Sequence, residues 1–194
     1  MTEKAISEAA KLLADGGTVV YPTETVYGIG ASISIPGAVE RVFEIKGRDR
    51  RMPLSVAVAS FEMVAGIANI DEDDLALLRK LLPGPITILV EKSPQLPDSV
   101  TAGSPLVGIR FPDHPMAIDL IGRAGPITST SANPSGLPPP ASIEELDPEI
   151  AEKVDLVLDG GRCRLARPST LVDLASRRVI REGAGMEMVE ELLG

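Results

Sequence analysis

The stretch "STLVDLASRRVIREG", residues 169–183, decides the fold class. It holds two short β-prone runs, 169–174 and 178–182, separated only by residues 175–177. A connection that short cannot make the crossover that parallel neighbours need, so the two runs pair antiparallel. Upstream the chain alternates strand and helix, the pattern of an α/β sheet. A mixed parallel/antiparallel sheet follows from the two facts together.

Working outward, "MEMVEELLG" (186–194) reads as a closing helix and "DLVLDGG" (155–161) as a strand. "IEELDPEIAEKV" (143–154) reads as one helix before that strand. Further upstream, strands are expected at "TVVYP" (18–22), "PLSVAVAS" (53–60), "PITILVEK" (85–92), "LVGIRFP" (106–112) and "PITSTS" (126–131). Between them lie helical patterns. Ala5, Ile6, Ala9, Leu12 and Leu13 recur on one face, and Gly16-Gly17 end that helix. Pro36 opens a second helix with Val39, Val42 and Phe43 inward. Residues 61–70, 71–84 and 114–125 supply the others. The segment "YGIGAS" (27–32) fails as a dinucleotide fingerprint, because Ile33 stands where the third glycine belongs, and reads as a tight turn. No internal repeat or composition shift marks a boundary, so one domain over 1–194 is expected.

Composition narrows the function. The chain of 194 residues has a formal net charge of −9, 3% aromatics and no Trp. An aliphatic core is implied, and aromatic platforms for single-stranded bases are disfavoured. A whole-surface nucleic-acid footprint is disfavoured too. Cys163 and His114 are the only residues of their kinds, so no intramolecular disulfide or Cys/His zinc cluster can form, and no metal ligands are assigned. Acids interrupt the N-terminal segment and no apolar run reaches membrane-spanning length, so a cytoplasmic chain without membrane partners is expected.

Against that acidity, "EIKGRDRRMP" (44–53) gathers Lys46, Arg48, Arg50 and Arg51. Only solvent or a bound anion relieves such crowding. A solvated helix end is one reading and a polyanion site is the other. Other strand ends add hydroxyl and cationic groups. Thr23 and Thr25 follow Pro22, and Thr128, Ser129, Thr130, Ser131 and Asn133 follow another strand. Arg110 ends a run that reads as a buried strand, and Arg181 has the same character. His114, among prolines at a helix start, reads as structural. The inventory has no nucleophile, metal cluster or redox centre. It suits binding a phosphate-rich ligand, with positioning and charge stabilisation supplying the catalysis.

At these residues the chain resembles a known family. "GGTVVYPTETVYGIGA", "VERVFEIKGR", "MPLSV", "LLPGPITILV", "VGIRFPDHPMA", "TSANPSG", "VDLVLDGG", "STLVDL" and "VIREGAG" match, in order, the YrdC-like L-threonylcarbamoyladenylate synthases. The resemblance implies a twisted mixed sheet with flanking helices around a concave basic cavity. It implies synthesis of threonylcarbamoyl-AMP and pyrophosphate from L-threonine, bicarbonate and ATP, with Mg2+ accompanying the nucleotide. A threonylcarbamoyl-transferase system would then modify tRNA at position 37. Residue by residue, Lys46 and Arg48 match the catalytic, phosphate-binding KxR pair. Ser131 and Asn133 match the SxN pair, and Arg181 a further ATP contact. Thr23, Arg110 and Ser169 match the threonine site, Arg110 toward the carboxylate. The sequence departs from the family pattern at "DRRMPL" after KGR and at Ala141, where a hydroxyl is usual. A YciO-like paralogue and a non-catalytic RNA-binding module are the alternatives.

Overall fold

The computed structural model describes residues 2–193. Met1 and Gly194, the ends of the domain expected over 1–194, lie outside it. The strands are β1 (Thr18–Tyr21), β2 (Gly28–Ala31), β3 (Ser55–Ala57), β4 (Ile86–Glu91), β5 (Leu106–Arg110), β6 (Ile127–Ser131), β7 (Leu156–Val157), β8 (Thr170–Asp173) and β9 (Arg178–Arg181). They form one nine-stranded sheet in the order β7-β1-β2-β6-β3-β5-β4-β8-β9. The pairs β1–β7, β3–β5 and β4–β8 are parallel and the rest antiparallel, so the sheet is mixed. The β8–β9 hairpin is the antiparallel pair that its short connection requires.

The helices are α1 (Thr2–Ala14), α2 (Pro36–Lys46), α3 (Phe61–Ile67), α4 (Glu72–Leu81), α5 (Asp98–Thr101), α6 (Pro115–Ala124), α7 (Pro148–Lys153) and α8 (Met186–Leu193). They cover the two sheet faces unequally. On one face Val20, Ile29, Val56, Ile88, Ile109 and Val172 join a core with Val42 and Phe43 of α2, Val64 of α3, Leu78 of α4, Ile150 of α7 and Val189 of α8. On the other, Val19, Tyr21, Ala57 and Ile127 pack against Ile6, Ala9 and Leu13 of α1 and Ala117, Leu120 and Ile121 of α6. Burying such side chains drives the packing at about 25 cal/mol per Å² of apolar surface. The second core ends at Ala57. Beyond it, the same face of β4, β5 and β8 lines the site.

Two expectations are corrected. "YGIGAS" is no turn: Gly28 and Gly30 belong to β2, paired with β1 and β6. A Cβ on Gly28 would meet the Tyr21 ring at 3.3 Å, and one on Gly30 would meet it at 3.2 Å. The glycines let that ring lie over the strand. The helix expected over 143–154 is broken into a 3-10 turn (Ile143–Glu145) and α7, because Pro148 starts a new helix capped by Asp147.

Candidate active site

Alternation along the strands builds the floor of the site. Register aligns Ser129, Ser55, Gly108 and Leu89 across β6, β3, β5 and β4. A second row aligns Arg110, Thr87, Leu171 and Arg181 across β5, β4, β8 and β9. All eight residues line one cavity of about 520 Å³. Gly108 is its low point: a Cβ there would overlap Ser55 Oγ and meet Thr87 Cγ2 at 3.1 Å.

Loops at the strand ends complete the walls. Thr23, Thr25, Arg48, Ser131, Asn133 and Ser169 line the same cavity. Of the site residues expected from sequence, only Lys46 does not line it. No Asp or Glu lines it either, so its charged lining is the three arginines Arg48, Arg110 and Arg181.

Lys46 is the last residue of α2, and Gly47 follows in the left-handed conformation with φ 57°. That cap turns the chain and sends Arg48 into the cavity. Lys46 is buried behind the wall and donates from Nζ to the carbonyls of Ser131 and, at 2.7 Å, Asn133. It holds the end of β6 in place. Burial, and then the charge of Arg48, pull its pKa down to about 8. Arg48 is in turn held below its ordinary value by burial and by Arg181, and Arg181 by burial. Among the described residues none of these three cations has an acidic partner within 4.0 Å. Arg50 and Arg51 differ. They point outward to Glu44 at 3.0 Å and Asp49 at 2.6 Å.

Hydrogen bonding limits what each group can offer. Thr23 Oγ1 donates to the Val26 carbonyl and accepts from the amides of Thr25 and Val26. The hydroxyl proton shared at 2.8 Å therefore comes from Thr25, and the Thr23 hydroxyl is spent inside its own loop. Arg110 Nη1 donates to the carbonyls of Gly84 and Phe111. Arg110 Nη2 lies 2.8 Å from Glu24 Oε2 and 3.4 Å from Thr25 Oγ1. Its Nε–H has no hydrogen-bond partner among the described residues and is free for a ligand, whereas Nη2 is held against the Glu24 charge. Asn133 gives both amide protons to the Pro134 and Leu137 carbonyls, which leaves Oδ1 as its unpartnered atom. Ser169 and Thr87 share a hydrogen bond of 2.8 Å.

Sequence reading missed Glu24, which pairs with Arg110 inside the protein with only 1% of its side chain exposed. An arginine in a buried strand calls for such an anion, but nothing in the spacing says which acid supplies it. It also missed Ser55, Thr87 and Gly108, whose roles depend on cross-strand register. His114 lies outside the cavity, and burial lowers its pKa, as suits a structural residue. The Cys163 thiol is buried and pushed upward, which makes it a poor nucleophile.

The lining does not fit a magnesium ion held by the protein's own carboxylates. The cavity supplies hydroxyls and no carboxylate, and among the described residues no cluster of three or more His, Cys, Asp or Glu could hold a metal. Also among the described residues, no helix is long and apolar enough to cross a membrane.

Known proteins share this architecture. The chain is 37% identical to threonylcarbamoyl-AMP synthase of Pyrococcus abyssi, over 99% of this chain and 58% of that protein. The structure of P. abyssi Sua5 complexed with L-threonine superposes with a TM-score of 0.89 at 38% identity, covering 97% of this chain and 57% of that one. E. coli YciO superposes with a TM-score of 0.80 at 27% identity, over 93% of this chain and 90% of that one. The Sua5/YciO/YrdC family model, described as telomere recombination, matches residues 11–183. On sequence and fold alike, the chain belongs to the Sua5/YciO/YrdC family.

Proposed function

We propose that the chain makes threonylcarbamoyl-AMP and pyrophosphate from L-threonine, bicarbonate and ATP. This nucleotidyl transfer would serve threonylcarbamoyladenosine formation at position 37 of tRNA, in the cytoplasm, with a separate transferase system taking the product. The observation that carries the reading is the group Lys46, Arg48 and Arg181. These cations depress one another's pKa values or are depressed by burial, have no acidic partner, and adjoin a cavity free of carboxylates. Bound triphosphate supplies the missing anion.

The chemistry needs little else. Bicarbonate takes up a proton and loses water to give CO2, and threonine's amine adds to that CO2 and loses a proton, giving a carbamate. A carbamate oxygen then bonds to the α-phosphorus as the bond to the bridging oxygen breaks and pyrophosphate departs. The protein holds the two reactants in line and offsets charge on the leaving group. Arg48 and Arg181 do the latter, while Lys46 adds charge from behind and fixes the Ser131–Asn133 carbonyls. Threonine sits toward Arg110 and the Thr87–Ser169 hydroxyl pair. Arg110 meets its carboxylate through Nε–H, and Thr23 shapes the pocket through its loop rather than its spent hydroxyl.

Pyrophosphate release from ATP and bicarbonate, measured with L-threonine, with serine and with neither, tests the proposal. Release that depends on threonine is expected. Folded protein that releases none in any condition would leave the YciO-like or RNA-binding reading in its place.

A further inference from the structure

The three arginines of the cavity are not equivalent. Arg110 and Arg181 share one cross-strand row, but β4 and β8 stand between their strands, which puts their main chains about 14 Å apart at the usual strand spacing. Arg48 belongs with Arg181: burial and then the Arg181 charge hold its guanidinium below the ordinary value. Among the described residues those two have no acidic partner within 4.0 Å. Arg110 has one. Its Nη2 stands 2.8 Å from Glu24 Oε2, with 5% of the Arg110 side chain and 1% of the Glu24 side chain exposed. Glu24 itself does not line the cavity, so the acid acts from behind the arginine.

Glu24 supplies charge rather than direction. Neither of its carboxylate oxygens meets hydrogen-bond geometry with a donor among the described residues. Other bonds fix the guanidinium: Nη1 donates to the Gly84 carbonyl and, at 3.1 Å, to the Phe111 carbonyl. Replacing such a buried pair with apolar side chains is often neutral for stability, so stability does not account for it. Its effect on ligands does. A net-neutral pair attracts a distant anion only weakly. The two-pronged face that grips phosphate with parallel bonds is already taken up by protein oxygens. The open Nε–H suits a single carboxylate oxygen.

We infer that Glu24 is a specificity-determining residue. By offsetting Arg110 it keeps polyphosphate out of the Arg110 half of the cavity, which then takes a net-neutral amino acid, while Arg48 and Arg181 take the phosphates. The inference rests on the synthase reading above. A cavity that holds two substrates at once must stop the more highly charged one from filling both halves. Attraction alone does not achieve this, because a polyphosphate outcompetes a zwitterion at any uncompensated cation. Removing the net charge from one half does. Glu24 acts through Arg110 and does not touch substrate.

Titration calorimetry of the full chain with L-threonine, alone and with saturating inorganic tripolyphosphate, reads this partition. In the parent chain tripolyphosphate should change threonine affinity by less than about twofold. Glu24→Gln removes the charge and keeps the shape. Tripolyphosphate should then reach Arg110 and weaken threonine binding by at least about fivefold. 3-Hydroxybutyrate, which is threonine without its amine, should bind that variant about tenfold tighter than it binds the parent. Glu24→Asp keeps the charge and should follow the parent in both tests, whereas a role in packing alone would favour the isosteric Gln. A folded Glu24→Gln chain with parental values in both tests would overturn the inference. So would competition between tripolyphosphate and threonine in the parent chain, a result that stands even if Glu24→Gln fails to fold. A parent chain that binds neither ligand would instead sink the synthase reading, which is a different failure.

Discussion

Lys46 holds its charge just behind the cavity wall, with two of its three N–H donors on main-chain carbonyls. Its depressed pKa, about 8, is the cost of burial beside Arg48. An anion in the cavity favours the charged amine and moves that pKa back toward the ordinary 10.5. In the free protein the proton is progressively lost above about pH 8, and in the complex it is kept. ATP binding near pH 8.5 should therefore take up a fraction of a proton, and binding well below pH 7, where Lys46 is charged in both states, should not. Calorimetry in two buffers of different ionisation enthalpy reads the uptake directly, and Lys46→Met should abolish it. Zero uptake at the higher pH would place the triphosphate away from Nζ.

Helix α2 shows how an element aims those residues. It needs Lys46 to face inward as its last residue and Arg48 to turn into the cavity two residues later, and Gly47 in the left-handed region makes that reversal. A Cβ at Gly47 meets nothing within 4 Å, so Gly47→Ala is a test of backbone alone. It should cost about 1 kcal/mol, or roughly 3 °C in Tm for a domain of this size. If the cap also aims Arg48, the KM for ATP should rise several-fold while the KM for threonine stays close to that of the parent chain. A variant that loses stability with no change in either KM would reduce Gly47 to a plain helix stop. The helix with its basic end, its Pro36 start and its inward Val39, Val42 and Phe43 was legible in the sequence, because all of these signals are local. The mixed character of the sheet was legible for the same reason, since the 175–177 connection is local too. What escaped reading depends on distant neighbours. Gly28 and Gly30 look like a turn until Tyr21 is known to lie across them. Thr23 looks like a free hydroxyl until its loop is seen to consume it. Ser55, Gly108 and Thr87 become a floor only when three strands come into register.

At the scale of the whole molecule, charge is partitioned rather than balanced. A chain of net −9 keeps Arg48 and Arg181 in one cavity without an acidic partner among the described residues, beside Arg110, whose charge buried Glu24 offsets. Several other basic residues are paired on the surface, as Arg41 is with Asp155, Arg123 with Asp119, Arg162 with Glu145 and Arg164 with Asp113. Such a molecule draws a small anion into one place and repels a long one. A triphosphate fits within the cavity, whereas a tRNA would have to lie along an acidic surface and pay for it at every turn of backbone. A product released as a small adenylate suits that arrangement, because the RNA need not dock here. Binding of tRNA should accordingly be weaker than about 10 μM at physiological salt, at or below the ordinary non-specific range. Competition between ATP and tRNA should be undetectable at concentrations that saturate ATP. Fluorescence anisotropy of labelled tRNA across a salt series measures both. Tight binding whose logarithm falls steeply with the logarithm of salt would require several phosphate contacts. Arg48, Arg110 and Arg181 cannot provide these from within one cavity, so that outcome would point to a second basic surface and revive the RNA-binding reading.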